Sequence, residues 1–256
     1  MERNLPPKSS LASPCSRAPI RIPFVRSVTS MKKPIPVLTL AVCWTISLPA
    51  QAGEISGRVR VAGRPADAQV TTVVYAEPLD RRVLVPPRRV KLLQQNKSFQ
   101  PRVQAIPVNS TVDFVNEDGI YHNVFSLSPP EPFDLGLYSA RATRSRKFKQ
   151  AGTYRVFCNI HPDMVALILV VPTPFIAETD RAGNYRLDLP PGRYRITAWS
   201  ERAQPATAEV TTAEGNVTAP DISLDESQFV ELPHKNKHGR DYAKTTWDEP
   251  PAKKPK

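Results

Sequence analysis

Sulfur is scarce in this chain of 256 residues, which has three cysteines and three methionines. Long apolar runs are missing as well. The longest reaches from Ile35 to Leu48, shorter than the roughly 20 residues a membrane-spanning helix needs, so no transmembrane segment is expected. No window carries sustained helical periodicity. There is no Cys-x-x-Cys-His, which excludes covalently attached haem. Nor is there a basic face interleaved with aromatics, so nucleic acid is not an expected partner despite a net charge of +11.

Much of that charge sits at the ends. Met31-Lys32-Lys33, the apolar run and Ala50-Gln51-Ala52 follow the order of a secretory signal peptide cut before Gly53. Leu40-Ala41-Val42-Cys43 faintly resembles a lipoprotein box, but Val42 is too large for its position. Residues 1–30 are rich in Pro, Ser and Arg without apolar periodicity, which puts the expected translation start at Met31. Seven of the 35 Lys/Arg and one of the 24 Asp/Glu lie in residues 1–52, leaving 28 and 23 and a net charge of +5. Residues 226–256 are basic, rich in Pro and Lys and poor in apolar side chains, and are expected to be disordered. The leader implies a periplasmic protein.

Cleavage before Gly53 removes Cys15 and Cys43 together with Met1 and Met31. One cysteine, Cys158, and one methionine, Met164, are left, and both fall in Cys158-Asn159-Ile160-His161-Pro162-Asp163-Met164. A lone cysteine in an oxidising compartment has no internal disulfide partner, and metal ligation accounts for it. Thiolate, imidazole and thioether on one short loop are the donors of a mononuclear copper centre, in which two His and one Cys lie around the ion with a weak axial Met. The second imidazole must come from elsewhere, and His122 is the candidate.

From Gly53 to about Leu224 the chain reads as short strands. Those visible are 54–61, 70–75, 111–115, 121–127, 152–158, 165–171, 184–189 and 194–199, separated by Gly, Pro and Asp turns. The fold class expected is all-β, a sandwich or barrel. Alternation puts Tyr154, Val156 and Cys158 on one face and Arg155 on the other, so the thiol points inward at a strand end. Pro162 stiffens the loop that follows.

Residues from roughly Leu84 to Pro172 resemble a cupredoxin of the plastocyanin–amicyanin class, including proteins called methylamine-utilisation-like. The segments that carry the likeness are Pro107-Val-Asn-Ser-Thr-Val-Asp-Phe, Tyr121-His122-Asn123-Val124-Phe125-Ser126 and Gly152 through Met164. The resemblance implies a Greek-key β-sandwich and one type 1 (blue) copper. It implies His122, Cys158 and His161 as equatorial ligands, Met164 as the axial one, and Asn123 as a hydrogen-bond partner of the sulfur. The activity implied is outer-sphere electron transfer, with a c-type cytochrome or a periplasmic dehydrogenase as partner and no enzymatic turnover.

The flanks resemble something else. Glu54-Ile-Ser-Gly-Arg-Val and Thr179-Asp-Arg-Ala-Gly-Asn-Tyr-Arg-Leu, with Leu189-Pro-Pro-Gly-Arg-Tyr-Arg-Ile, look like two halves of a carboxypeptidase-regulatory-like β-sandwich. The implied order is 53–78 for the first part, 79–174 for the cupredoxin and 175–225 for the second part, one inserted into or packed beside the other. A single extended cupredoxin is the alternative.

Other chemistries fit less well. Zinc would accept Cys158, His161 and Asp163, but thioether is a poor zinc ligand. A Cys–His nucleophile pair needs an exposed thiolate and an orienting third group. A buried structural Cys would leave two histidines and the lone Met idle. Copper storage or delivery is the rival within copper chemistry, although such sites are usually Met-rich. His234 and His238 are expected to be solvated. The cluster Arg141, Arg144, Arg146, Lys147 and Lys149 reads as either a solvated strand face or a steering patch. Phe133, Leu135, Leu137 and Tyr138 would pack near the copper end or form a docking patch.

Overall fold

A computed structural model describes residues 53–242, apart from 66, 67, 69, 214 and 232. The expectations for the leader, for the start at Met31 and for 243–256 lie outside the described residues. The described strands are β1 (Gly53–Ala62), β2 (Val73–Pro78), β3 (Arg89–Gln95), β4 (Ser98–Gln100), β5 (Val103–Pro107), β6 (Thr111–Asn116), β7 (His122–Ser126) and β8 (Phe133–Tyr138). They continue with β9 (Thr143–Lys147), β10 (Gly152–Phe157), β11 (Val165–Val171), β12 (Ile176–Glu178), β13 (Asn184–Leu189), β14 (Gly192–Trp199), β15 (Ala206–Thr212), β16 (Val217–Thr218) and β17 (Ile222–Asp225). No helix among the described residues is long and apolar enough to cross a membrane. The molecule is all-β.

Strands β3 to β11 pair only with one another, in two sheets ordered β5-β11-β10-β7-β8 and β4-β3-β6-β9. They enclose one core, with Leu92, Val112 and Phe114 from one sheet facing Val124, Tyr154, Val156 and Ile168 from the other. Cys158 and Met164 belong to the core of this sandwich. Strands from both ends of the chain form two further sheets. One has the order β12-β2-β14-β15, and in the other β1 lies between β13 and β16 and also pairs with β17. Their shared core includes Ile55, Val74, Leu187, Tyr194 and Ile196. The second sandwich is thus assembled from segments that bracket the first.

The two sandwiches meet through a third apolar cluster. Val73 and Trp199 from the flanking sandwich pack with Val103, Leu167, Leu169 and Val171. Four sheets are therefore stacked, and β11 lies in an inner one. Ala166, Ile168 and Val170 point to the core of the first sandwich, while Leu167, Leu169 and Val171 point to the cluster between sandwiches. That explains why Val165–Val171 is apolar throughout instead of alternating, as expected of a strand covered on both faces. Gly183, at φ +84°, closes the turn into β13, where its carbonyl accepts from the Val59 N–H at 2.8 Å. A Cβ there would lie 2.2 Å from the Val59 carbonyl oxygen.

The eight strands legible in the sequence correspond to β1, β2, β6, β7, β10, β11, β13 and β14, with β2 displaced three residues toward the C-terminus. Of the others, β9 has no apolar residue to betray it. β9 is Thr-Arg-Ser-Arg-Lys at a sheet edge. There Arg144 and Arg146 stack over Tyr138 and Phe133 at 6.0 and 5.4 Å, so part of the basic cluster covers aromatic surface by its guanidinium planes.

Candidate metal centre

Three segments meet at one end of the sandwich formed by β3 to β11. Strand β10 runs to Phe157 with Tyr154 and Val156 buried and Arg155 exposed, so the alternation carries Cys158 inward, to zero exposure. The loop 158–164 then doubles back into β11. The Cys158 N–H donates to the Met164 carbonyl and the Met164 N–H to the His161 carbonyl, both at 3.2 Å. Met164 is fully buried in the same core as Cys158. Strand β7 opens at His122, also fully buried.

The donor atoms converge. His122 Nδ1 and His161 Nδ1 are 3.1 Å apart, and Cys158 Sγ lies 3.9 Å from the first and 3.5 Å from the second. One ion about 2.0 Å from each nitrogen and about 2.3 Å from sulfur, at near-trigonal angles, requires N–N and N–S separations of roughly 3.5 and 3.7 Å. The triangle is within about 0.4 Å of that geometry. Among the described residues this is the group of His, Cys and acidic side chains close enough to hold a metal ion. Two imidazoles and a thiolate, next to a buried thioether, suit copper by softness and geometry.

The surroundings prepare each donor. His122 Nε2 is 2.8 Å from Asp118 Oδ2, which places the ring proton on Nε2 and leaves the Nδ1 lone pair for a metal, a carboxylate–histidine arrangement common at metal sites. Asp118 is itself fixed by the N–H groups of Asn96 and Lys97 at 2.6 and 2.9 Å. Burial would raise its carboxyl, but the N–H of Lys97, the His122 ring and the N–H of Asn96 outweigh that and hold it below the usual range. Asp118 is a participant that the sequence did not reveal. In Glu117-Asp118-Gly119 it looks like an ordinary turn residue, and its only signal is a spacing of four before His122.

Burial pushes the Cys158 thiol up, against the pull of the main-chain N–H groups of Asn123, Ile160 and His161 that bond its sulfur. Those three donors are aimed to stabilise a thiolate once a cation compensates for desolvation. Asn123 thus meets the sulfur through its backbone. Its side-chain Nδ2 donates instead to Asp134 Oδ1 at 2.7 Å. The resemblance-based expectation for Asn123 corresponds to a main-chain contact and not to one by the amide side chain.

The C-terminal segment differs from expectation. Residues 226–242 were expected to lie free in solvent, and His234 with them. The structure instead carries this stretch, in its described part, back to the metal loop. His234 Nε2 is 2.6 Å from the Pro162 carbonyl, and its ring lies 4.1 Å from that of Phe157. The Tyr242 hydroxyl donates to the Cys158 carbonyl at 2.8 Å. His238 remains exposed. The physical reason is local. The chain brings main-chain carbonyls and an aromatic ring that need partners, and His and Tyr satisfy them without the apolar pattern that sequence reading depends on. Leu137 is 57% exposed, while Tyr138 is buried and Phe133 and Leu135 pack on the core, so most of that segment packs inward.

Comparison with known proteins gives likeness at the level of solved structures. A purple cupredoxin from Nitrosopumilus maritimus is 22% identical, covering 32% of this chain and 99% of that one, with a TM-score of 0.30. An amicyanin mutant in its Cu(I) form is 20% identical over 32% of this chain and 82% of that one, with a TM-score of 0.31. A Cu-containing nitrite reductase from Thermus scotoductus SA-01 is 29% identical over 44% of this chain and 28% of its own length, also at 0.31. No protein-family model and no curated protein sequence matches the chain.

Proposed function

We propose that this protein holds one type 1 copper ion through His122, Cys158, His161 and Met164 and serves as a one-electron carrier in the periplasm. The observation that carries this is the triangle of two Nδ1 atoms and one Sγ with sides of 3.1, 3.5 and 3.9 Å. Bound copper would supply reversible one-electron exchange between Cu(II) and Cu(I). The protein's part is to keep the donors in place across that change and to exclude water. His122 and Cys158 are fully buried, and Met164, read as the axial donor, is buried in the same core as Cys158. Four protein donors leave no open position for a substrate, which supports a carrier and not an enzyme. His161 is the less buried imidazole, and its edge is the natural place for a c-type cytochrome or a periplasmic dehydrogenase to exchange electrons. The flanking sandwich is read as carboxypeptidase-regulatory-like, a mount for the copper domain.

The test is the visible and EPR spectrum of the chain from Gly53 onward, loaded with one equivalent of Cu(II). An intense thiolate-to-copper band with narrow hyperfine splitting is expected, and Cys158→Ser should abolish it without unfolding the protein. A colourless protein that reduces the added ion and retains Cu(I) would replace electron transfer with copper storage or delivery.

A further inference from the structure

The segment from Pro233 to Tyr242 touches both walls of the metal centre. On the loop side, Tyr242 donates to the Cys158 carbonyl, the Lys237 N–H donates to Asn159 Oδ1 at 3.0 Å, and His234 reaches the Pro162 carbonyl. On the strand side, Lys237 Nζ binds Asp134 Oδ2 at 2.7 Å. That same carboxylate receives Asn123 Nδ2 through its other oxygen. Asn123 follows the ligand His122 and gives its N–H to the Cys158 sulfur. One short stretch therefore grips residues 158, 159 and 162 of the loop and, through Asp134, the strand that carries His122.

We infer that residues 233–242 are a strap that positions the metal loop against β7, with Tyr242 and Lys237 as positioning residues that slow metal exchange. This rests on the reading of His122, Cys158 and His161 as a metal centre. Loop 158–164 carries His161 and must swing outward for an ion to enter or leave, because His122 and Cys158 have no exposed surface. Internally the loop is pinned by two N–H···O contacts of 3.2 Å and by the N–H groups of Ile160 and His161 on the Cys158 sulfur. The strap adds three hydrogen bonds and the stacking of His234 on Phe157. A pre-assembled donor set loses less freedom when the metal binds, and an open loop must first break the strap. None of the strap's side chains belongs to a hydrophobic core, so it can be altered without disturbing the fold.

The test uses the whole exported chain with Tyr242→Phe, Lys237→Ala and the two combined, and Lys237→Arg as the conservative control. In metal-free protein, amide hydrogen exchange at Asn159, Ile160 and His161 should quicken by about fivefold or more in the double variant, the scale of losing one or two net hydrogen bonds. Amides of β11 should be unchanged. In copper-loaded protein, capture of the metal by the Cu(I) chelator bathocuproine disulfonate should accelerate by a similar factor, and Lys237→Arg should stay near wild type. Unchanged loop exchange and unchanged capture in the double variant would overturn the strap. Failure of the copper reading would appear separately, as absence of the thiolate band in the unaltered protein, and the metal-free exchange experiment would still decide whether 233–242 restrains the loop.

Discussion

His122 is held from behind by one carboxylate, and that single contact makes a sharp expectation. Replacing Asp118 with Asn removes the charge that fixes the proton on Nε2 and keeps the side chain nearly isosteric. Loss of such a supporting contact typically costs about 10–100-fold in metal affinity, so the Cu(II) dissociation constant should rise by at least about tenfold, with the melting temperature of the metal-free protein little changed. An unaltered constant, measured by competition with a chelator, would mean that something other than Asp118 sets the imidazole tautomer. At this scale the sequence is informative where donor chemistry is rare and silent where it is common. One Cys, one Met and two His on a spaced pattern stand out in a chain with so little sulfur. Asp118, Asp134 and Lys237 are ordinary surface residue types, and only folding shows that they converge. The division of labour at Asn123, whose N–H meets the sulfur while its amide meets Asp134, was not legible.

Strand β11 is where pattern and packing agree most closely. A strand with one wet face tolerates truncation at alternate positions, whereas one covered on both faces does not. Leu167→Ala and Ile168→Ala, adjacent residues pointing opposite ways, should each destabilise the protein by about 2–5 kcal/mol, read as a lowered urea midpoint. A near-neutral Leu167→Ala would mean that the cluster with Val73 and Trp199 contributes little. The Val165–Val171 run was legible as a strand, but not that both its faces are covered. β9 and β15 were invisible for the opposite reason. An edge strand of Thr, Arg, Ser and Lys, or one rich in Ala and Thr, owes its conformation to the neighbour it pairs with and not to its own side chains.

For the molecule as a whole, the last strand of the flanking sandwich leads into Glu226, a buried carboxylate that receives Arg64 Nη2 at 2.6 Å and the Ser200 hydroxyl at 2.5 Å. Burial by itself would raise its pKa, but the hydrogen bonds from Arg64 and Ser200 and the charges of Arg64 and Arg202 outweigh that and lower it. A carboxyl with a depressed folded value adds stability that is complete above the ordinary glutamate value, about 4.3. It disappears as the pH falls through the lower folded value. The melting temperature should therefore drop more steeply on acidification below about pH 5 in the native protein than in Glu226→Gln. Parallel curves would remove Glu226 from the account of acid sensitivity. Two distant Gly- and Pro-marked segments read as parts of one sandwich, and β1 from the first pairs with β13 from the second. The four-sheet stack was not legible, since nothing in a single chain's pattern says which covered face meets which.

That bracketing governs the order in which the molecule can be made. Val74 pairs with Ala198 and Ile55 with Leu187, so β1 and β2 leave the ribosome long before their partners exist. The intervening strands pair only with each other and need not wait. Once they close, Tyr75 and Ile176 are brought to adjacent positions, and a loop of about a hundred flexible residues, whose closure is entropically unfavourable, becomes a short rigid spacer. The inner sandwich thereby acts as a template for the outer one. A lesion in the inner core has a second cost, leaving the early strands β1 and β2 with unpaired edges open to other chains.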